Sequence, residues 1–184
     1  MKLTITRTET NRTHCRGYMT ADNDENFRIE TLEGAHPDND KYIGKCLPIG
    51  MHRGKIIYTT IAYRDTTVLS PWPQLTRVEW FPKAQIRKNG IARKGNIVIG
   101  TEATEFEIKG SDEATVKLAR VLKKAFDAGE RHFDLEIKIS DDFIRNDYTL
   151  DKWNRRNAAE EERRLKAEAQ KIFENGEFNE GNET

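Results

Sequence analysis

Residues 111–140 read SDEATVKLARVLKKAFDAGERHFDLEIKIS, and the spacing of their apolar side chains changes part-way along. Over 111–128, Val116, Ala119, Leu122, Ala125 and Phe126 recur at helical spacing, while Lys117, Arg120, Lys123 and Lys124 fall mostly elsewhere. Ser111 is placed to cap this helix, Asp112 and Glu113 suit the positive end of its dipole, and Gly129 ends it. From 132 the period drops to two. Phe133, Leu135, Ile137 and Ile139 face one way, and Asp134, Glu136 and Lys138 the other, as in a strand with one face in water. A helix followed at once by a half-buried strand packs on a sheet, so the class is α+β.

Upstream, the sequence is dominated by strand patterns. Leu3 and Ile5 alternate with Thr4 and Thr6, FRIETLEG carries Phe27, Ile29 and Leu32, and GKIIYTTIAYRDTTVL is rich in β-branched and aromatic residues, as one long strand or a hairpin. VEWF, NIVIG and EFEIKG read as further strands. Turn residues punctuate these runs at Gly34, Asp38-Asn39-Asp40, Gly50, Pro71, Pro73, Pro82, Asn89-Gly90 and Gly95. The expected architecture is β-dominant: a barrel- or sandwich-like mixed sheet with one packed helix and a C-terminal helical extension. The domain spans 1–140. Residues 141–150 form a linker, in which Asp141 and Asp142 cap a turn, 151–175 a charged helix, and 176–184 a polar tail expected to be disordered by itself.

The chain has 184 residues, 36% apolar and 34% charged, enough for one cored domain with an appendage. Its 31 basic and 31 acidic residues cancel, so net charge gives no overall drive toward nucleic acid or an anionic membrane. No run approaches the roughly eighteen apolar residues of a membrane span. The start, MKLTITRTET, lacks an apolar core and reads as a strand, not a signal peptide, which implies cytoplasmic synthesis. His14, His36, His52 and His132 share no metal-ligand spacing, and no cofactor motif is present. Cys15 and Cys46 are the only cysteines and read as free thiols, Cys46 buried between apolar neighbours and Cys15 in a setting that allows exposure but carries no motif.

Two surfaces carry binding chemistry. Residues 86–100, IRKNGIARKGNIVIG, read as a hairpin. Lys83, Arg87, Lys88, Arg93 and Lys94 bring five cations and no acid between 83 and 94, just after Trp80 and Phe81. Cations beside aromatics suit phosphate or single-stranded nucleic acid, although hairpin tips are commonly charged. The C-terminal helix has too few apolar residues to bury a face. Trp153, Leu165, Ile172 and Phe173 are its candidate contacts with a protein partner or a second copy.

The order of elements over residues 1–139 resembles a small family of phages and Bacteroides-type bacteria that looks like a reduced L,D-transpeptidase (YkuD-like) domain. The resemblance rests on MKLTITRTE, on FRIETLE, on Gly44-Lys45-Cys46-Leu47-Pro48-Ile49-Gly50, on the Ile86-Arg87 strand and on Gly95-Asn96-Ile97-Val98-Ile99-Gly100. The transpeptidase-like pattern ends its Ile-Arg strand with a His, the base, and places a Cys, the acyl nucleophile, just after a Gly. Here Ile86-Arg87-Lys88-Asn89 holds no His, and Asn96 stands where the Cys belongs. The resemblance therefore implies a non-catalytic structural or protein-binding module, in the context of a tailed-phage particle or other mobile-element product. Two alternatives stand beside it: a peptidoglycan-acting L,D-transpeptidase-like enzyme using Cys15 or Cys46 with one of the histidines, and a phosphate- or nucleic-acid-binding module.

Overall fold

The computed structural model describes residues 1–11, 13–35, 46–76, 78, 81, 83–88, 95–104 and 107–145, with Arg163 and Lys166. The chain divides into two units, Met1–Asn146 and Asp147–Thr184. In the second, Arg163 and Lys166 are helical and exposed. Trp153, Leu165, Ile172 and Phe173 lie outside the described residues, as does the polar tail.

In the first unit the strands are β1 (Lys2–Thr10), β2 (His14–Ala21), β3 (Asp24–Gly34), β4 (Gly50–Tyr63), β5 (Thr66–Leu75), β6 (Gln85–Arg87), β7 (Asn96–Gly100), β8 (Glu102–Ala103), β9 (Ile108–Lys109) and β10 (His132–Arg145), with one helix, α1 (Ser111–Asp127), before β10. Eight strands form one mixed sheet in the order β5-β4-β10-β1-β2-β3-β7-β6, and β8 and β9 pair separately. β1 runs parallel to β10 and β6 parallel to β7; the other neighbours are antiparallel. The sheet curls until its two edges meet, giving a nearly closed, β-dominant barrel. Trp72 on β5 bridges the seam, its Nε1 donating to the Ile86 carbonyl on β6 at 3.1 Å.

Alternation sets the inner wall. Leu3 and Ile5 of β1, Met19 of β2, Phe27 and Ile29 of β3, Ile97 and Ile99 of β7, and Phe133, Leu135 and Ile137 of β10 share one core with α1. Leu32 and Val98 point the other way and form a small second cluster under Ile108 of β9. Gly54 on β4 is required here, because a Cβ would lie about 2 Å from the Phe133 ring.

Several local expectations change in the folded chain. α1 buries Ala114, Thr115, Leu118, Val121, Leu122 and Ala125, while Val116 is exposed. The start of the helix also differs, because Ser111 does not cap. Gly110 takes the cap position at φ 66, with Thr101 where a side chain would stand, and the Ser111 hydroxyl instead donates to the Ile99 carbonyl at 2.9 Å. Pro71 and Pro73 lie inside β5, which tolerates them because it is an edge strand. Val78 and Phe81 of VEWF form an isolated bridge, with Phe81 N–H donating to the Val78 carbonyl at 3.0 Å, and the two residues between them lie outside the described residues. β10 continues through Asp141 and Asp142 to Arg145, where a capped turn and linker were expected; its pairing with β1 slips there, Arg7 facing Ile139 and Glu9 facing Ile144. GKIIYTTIAYRDTTVL is a hairpin, with Tyr63 and Thr66 bracketing Arg64 and Asp65.

Trp72→Phe removes the indole donor at the seam. We expect a loss of about 1–2 kcal/mol in denaturant unfolding, with faster amide exchange in β5 and β6 than elsewhere in the sheet.

Candidate functional site

The inner row of β1 reads Leu3, Ile5, Arg7, and that of β3 reads Phe27, Ile29, Thr31, Glu33. Both rows start apolar and end charged, so opposite charges arrive at the same end of the barrel. Arg7 and Glu33 are each 1% exposed. The guanidinium grips the carboxylate with two bonds, Nε to Oε2 at 2.8 Å and Nη2 to Oε1 at 2.9 Å. Gly17, opposite Arg7 on the intervening β2, lets the β1 main chain approach closely, since a Cβ there would lie 2.4 Å from the Thr6 carbonyl oxygen. The pair also holds the segment entering β4, because Arg7 Nη2 donates to the Leu47 carbonyl at 2.6 Å and Leu47 N–H reaches Glu33 Oε1 at 3.3 Å. Arg7 Nη1 has no partner among the described residues. Burial opposes the Arg7 charge most strongly, yet the attraction of Glu33 and its hydrogen bonds outweigh it and raise the Arg7 pKa.

Both cysteines belong to this cluster. Cys15 faces Glu33 across the β2–β3 ladder, and Cys46 precedes Leu47. Both are buried, so Cys15 is not the exposed thiol its sequence surroundings allow. Burial and then the Glu33 carboxylate push both thiols up, Cys46 to about 12, and Arg7 only partly offsets this. At neutral pH Cys46 is therefore held protonated, the form that is a poor nucleophile. His52 Nε2 donates to the Pro48 carbonyl at 2.8 Å, His14 Nδ1 lies 2.8 Å from Thr13 Oγ1, His132 is exposed, and His36 lies outside the described residues. Asn96 is buried at the head of β7, where an amide offers no attack on a carbonyl.

The basic stretch is not a hairpin. β6 and β7 run parallel, Gln85 facing Asn96 and Arg87 facing Val98, so they are not the two arms of a hairpin. Lys83 and Arg87 are exposed, and Arg93 and Lys94 lie outside the described residues. Lys88 serves the fold: it forms an ion pair with Asp112 of α1 and donates to the Ala62 carbonyl at 2.5 Å, tying β6 to α1 and β4. These positions bring together two open cations and one engaged one.

An open groove of about 250 Å³ is lined by Met1, Arg53, His132, Phe133 and Asp134, where Arg53 Nε and Asp134 Oδ1 are 3.5 Å apart. Among the described residues no group of three or more His, Cys, Asp or Glu is placed to hold a metal ion. Exposed apolar side chains are prominent on the β4–β5 hairpin, at Tyr58, Val68 and Leu69. The sequence reading missed the Arg7–Glu33 pair, although its signal is present: a charge ending each of two inward-facing apolar rows. Comparison with family models, curated proteins and solved structures finds no match for this chain.

Glu33→Gln leaves the Arg7 charge buried without its counter-ion, and a loss of about 3–5 kcal/mol is expected in denaturant unfolding. The double replacement Arg7→Met with Glu33→Leu should recover most of it. The thiols set an alkaline limit. Cys46 rises from its usual 9.0 to about 12 on folding, so above pH 9 the unfolded chain releases a thiol proton that the folded chain keeps. Stability should be independent of these thiols below pH 9. It should then fall by up to ~1.4 kcal/mol per pH unit for each thiol. Measured between pH 8 and 11, that slope should flatten in Cys15→Ser/Cys46→Ser.

Proposed function

We propose that this chain is a non-catalytic structural or protein-binding module of a larger assembly. The observation that carries this reading is a separation of chemistry. The two side chains able to form a covalent intermediate as thiolates are buried against an ion pair, whereas apolar side chains suited to a protein contact stand exposed on β4 and β5. The resemblance supports the same reading, because Asn96 replaces the expected nucleophile. It also supplies the proposed context, a tailed-phage particle or other mobile-element product. By sequence pattern, Trp153, Leu165, Ile172 and Phe173 offer a second contact surface to a protein partner or another copy.

The test pits assembly against turnover. Full-length protein incubated with peptidoglycan stem peptides should give no cross-linked or hydrolysed product by mass spectrometry. Product that forms with the native chain and disappears in Cys15→Ser or Cys46→Ser would overturn the proposal in favour of a thiol-dependent peptidoglycan enzyme.

A further inference from the structure

The distal half of β5 is an open sheet edge. Thr66, Thr67, Val68 and Leu69 are all exposed, Leu69 to 70%, and β5 ends the strand order of the sheet. The hairpin fixes which main-chain groups point outward. Tyr63 and Thr66 close a two-residue loop, so they form a hydrogen-bonded pair, and such pairs alternate along the ladder. Val68, Ser70 and Trp72 therefore turn their N–H groups toward β4, and Thr67 and Leu69 turn theirs away from it. Pro71 and Pro73 agree with this phase, since neither has an N–H to give β4. They also strip donors from the outer edge, which blunts it against pairing. Trp72 covers the same stretch by reaching across to Ile86. On β5 the open main chain is thus confined to residues 66–69.

We infer that a second copy of this chain pairs on that edge, β5 against β5, antiparallel about a twofold axis at Val68. This rests on the reading of the protein as a non-catalytic assembling module and names one partner for it. The edge is complementary to itself. Under a twofold axis at Val68, Thr67 of one copy faces Leu69 of the other, and both carry outward N–H and C=O groups. The two Val68 side chains meet in the close, non-hydrogen-bonded pair between them. β5 contains no Asp, Glu, Lys or Arg, so the pairing repeats no charge across the axis. The prolines limit register slip by ending the donors on either side of a single short ladder. A ladder this short gives a weak dimer, suited to a module that repeats in an assembly and gains from many simultaneous contacts.

The experiment is light scattering of the full-length protein from micromolar to about millimolar concentration, a range that spans weak association. Two variants accompany it. Leu69→Pro deletes an outward donor while leaving the β4 ladder intact, as Pro71 and Pro73 already do. Val68→Lys sets two like charges opposite each other. We expect the native mass to rise toward twice the 21.3 kDa of the chain, and both variants to stay at the single-chain mass with unchanged circular dichroism. Should Leu69→Pro misfold, Val68→Lys decides. A native chain that stays at the single-chain mass throughout overturns the inference. So does association that survives both variants, and loss of that association when Trp153, Leu165, Ile172 and Phe173 become Ala would assign it to the C-terminal surface. In that case the inference fails while the non-catalytic reading stands, since that reading falls only to thiol-dependent turnover.

Discussion

The salt bridge between Arg7 and Glu33 organises one end of the barrel. Two charges removed from water must be matched closely, and the bidentate geometry provides that match. The same groups then hold Leu47, so the chain entering β4 is fixed by contacts that would be very costly to leave unmade. A β-barrel end normally exposes main-chain and polar groups to water. Here a guanidinium and a carboxylate occupy that volume, and they set the electrostatic surroundings of everything beside them.

The cysteines show the consequence. A thiol near an arginine is usually read as activated, because a positive charge favours the thiolate. At Cys15 and Cys46 burial and the Glu33 carboxylate outweigh Arg7, and both thiols are held protonated. The cluster is electrically balanced within itself, and the cation that could lower a thiol pKa is already committed to a carboxylate. The reactivity of both thiols is suppressed by the same contacts that stabilise the fold.

A second pair of contacts decides the shape of the seam. Trp72 donates to Ile86, and Lys88 joins Asp112 and the Ala62 carbonyl. The Trp72 bond closes the barrel near the base of β5, Lys88 holds β4 at Ala62, and the outer edge of the distal half of β5 stays exposed. A lysine that looks like a phosphate ligand in a basic run is thereby a strut. The sign and spacing of charges along a chain cannot distinguish the two roles, because the Asp112 that claims Lys88 lies 24 residues away on another element.

Local periodicity in the sequence was enough to establish the class: period two over 132–140, period 3.6 over 111–127, and β-branched runs elsewhere give an α+β chain dominated by strands. That positions 88, 89 and 96 hold Lys, Asn and Asn, with neither His nor Cys, was equally legible, since it depends only on residue identity. Periodicity is a near-neighbour property, so it survives without knowledge of the fold. Strand partners, the parallel pairing of β6 and β7, the face that α1 buries and the burial of Cys15 all depend on residues far apart in the chain. Arg7 and Glu33 make the case most directly: each is an ordinary polar residue in its own strand. Only the curvature that brings the inner rows of β1 and β3 to one dry volume turns them into a buried pair, because the cost of desolvating a charge is set by what surrounds it in space.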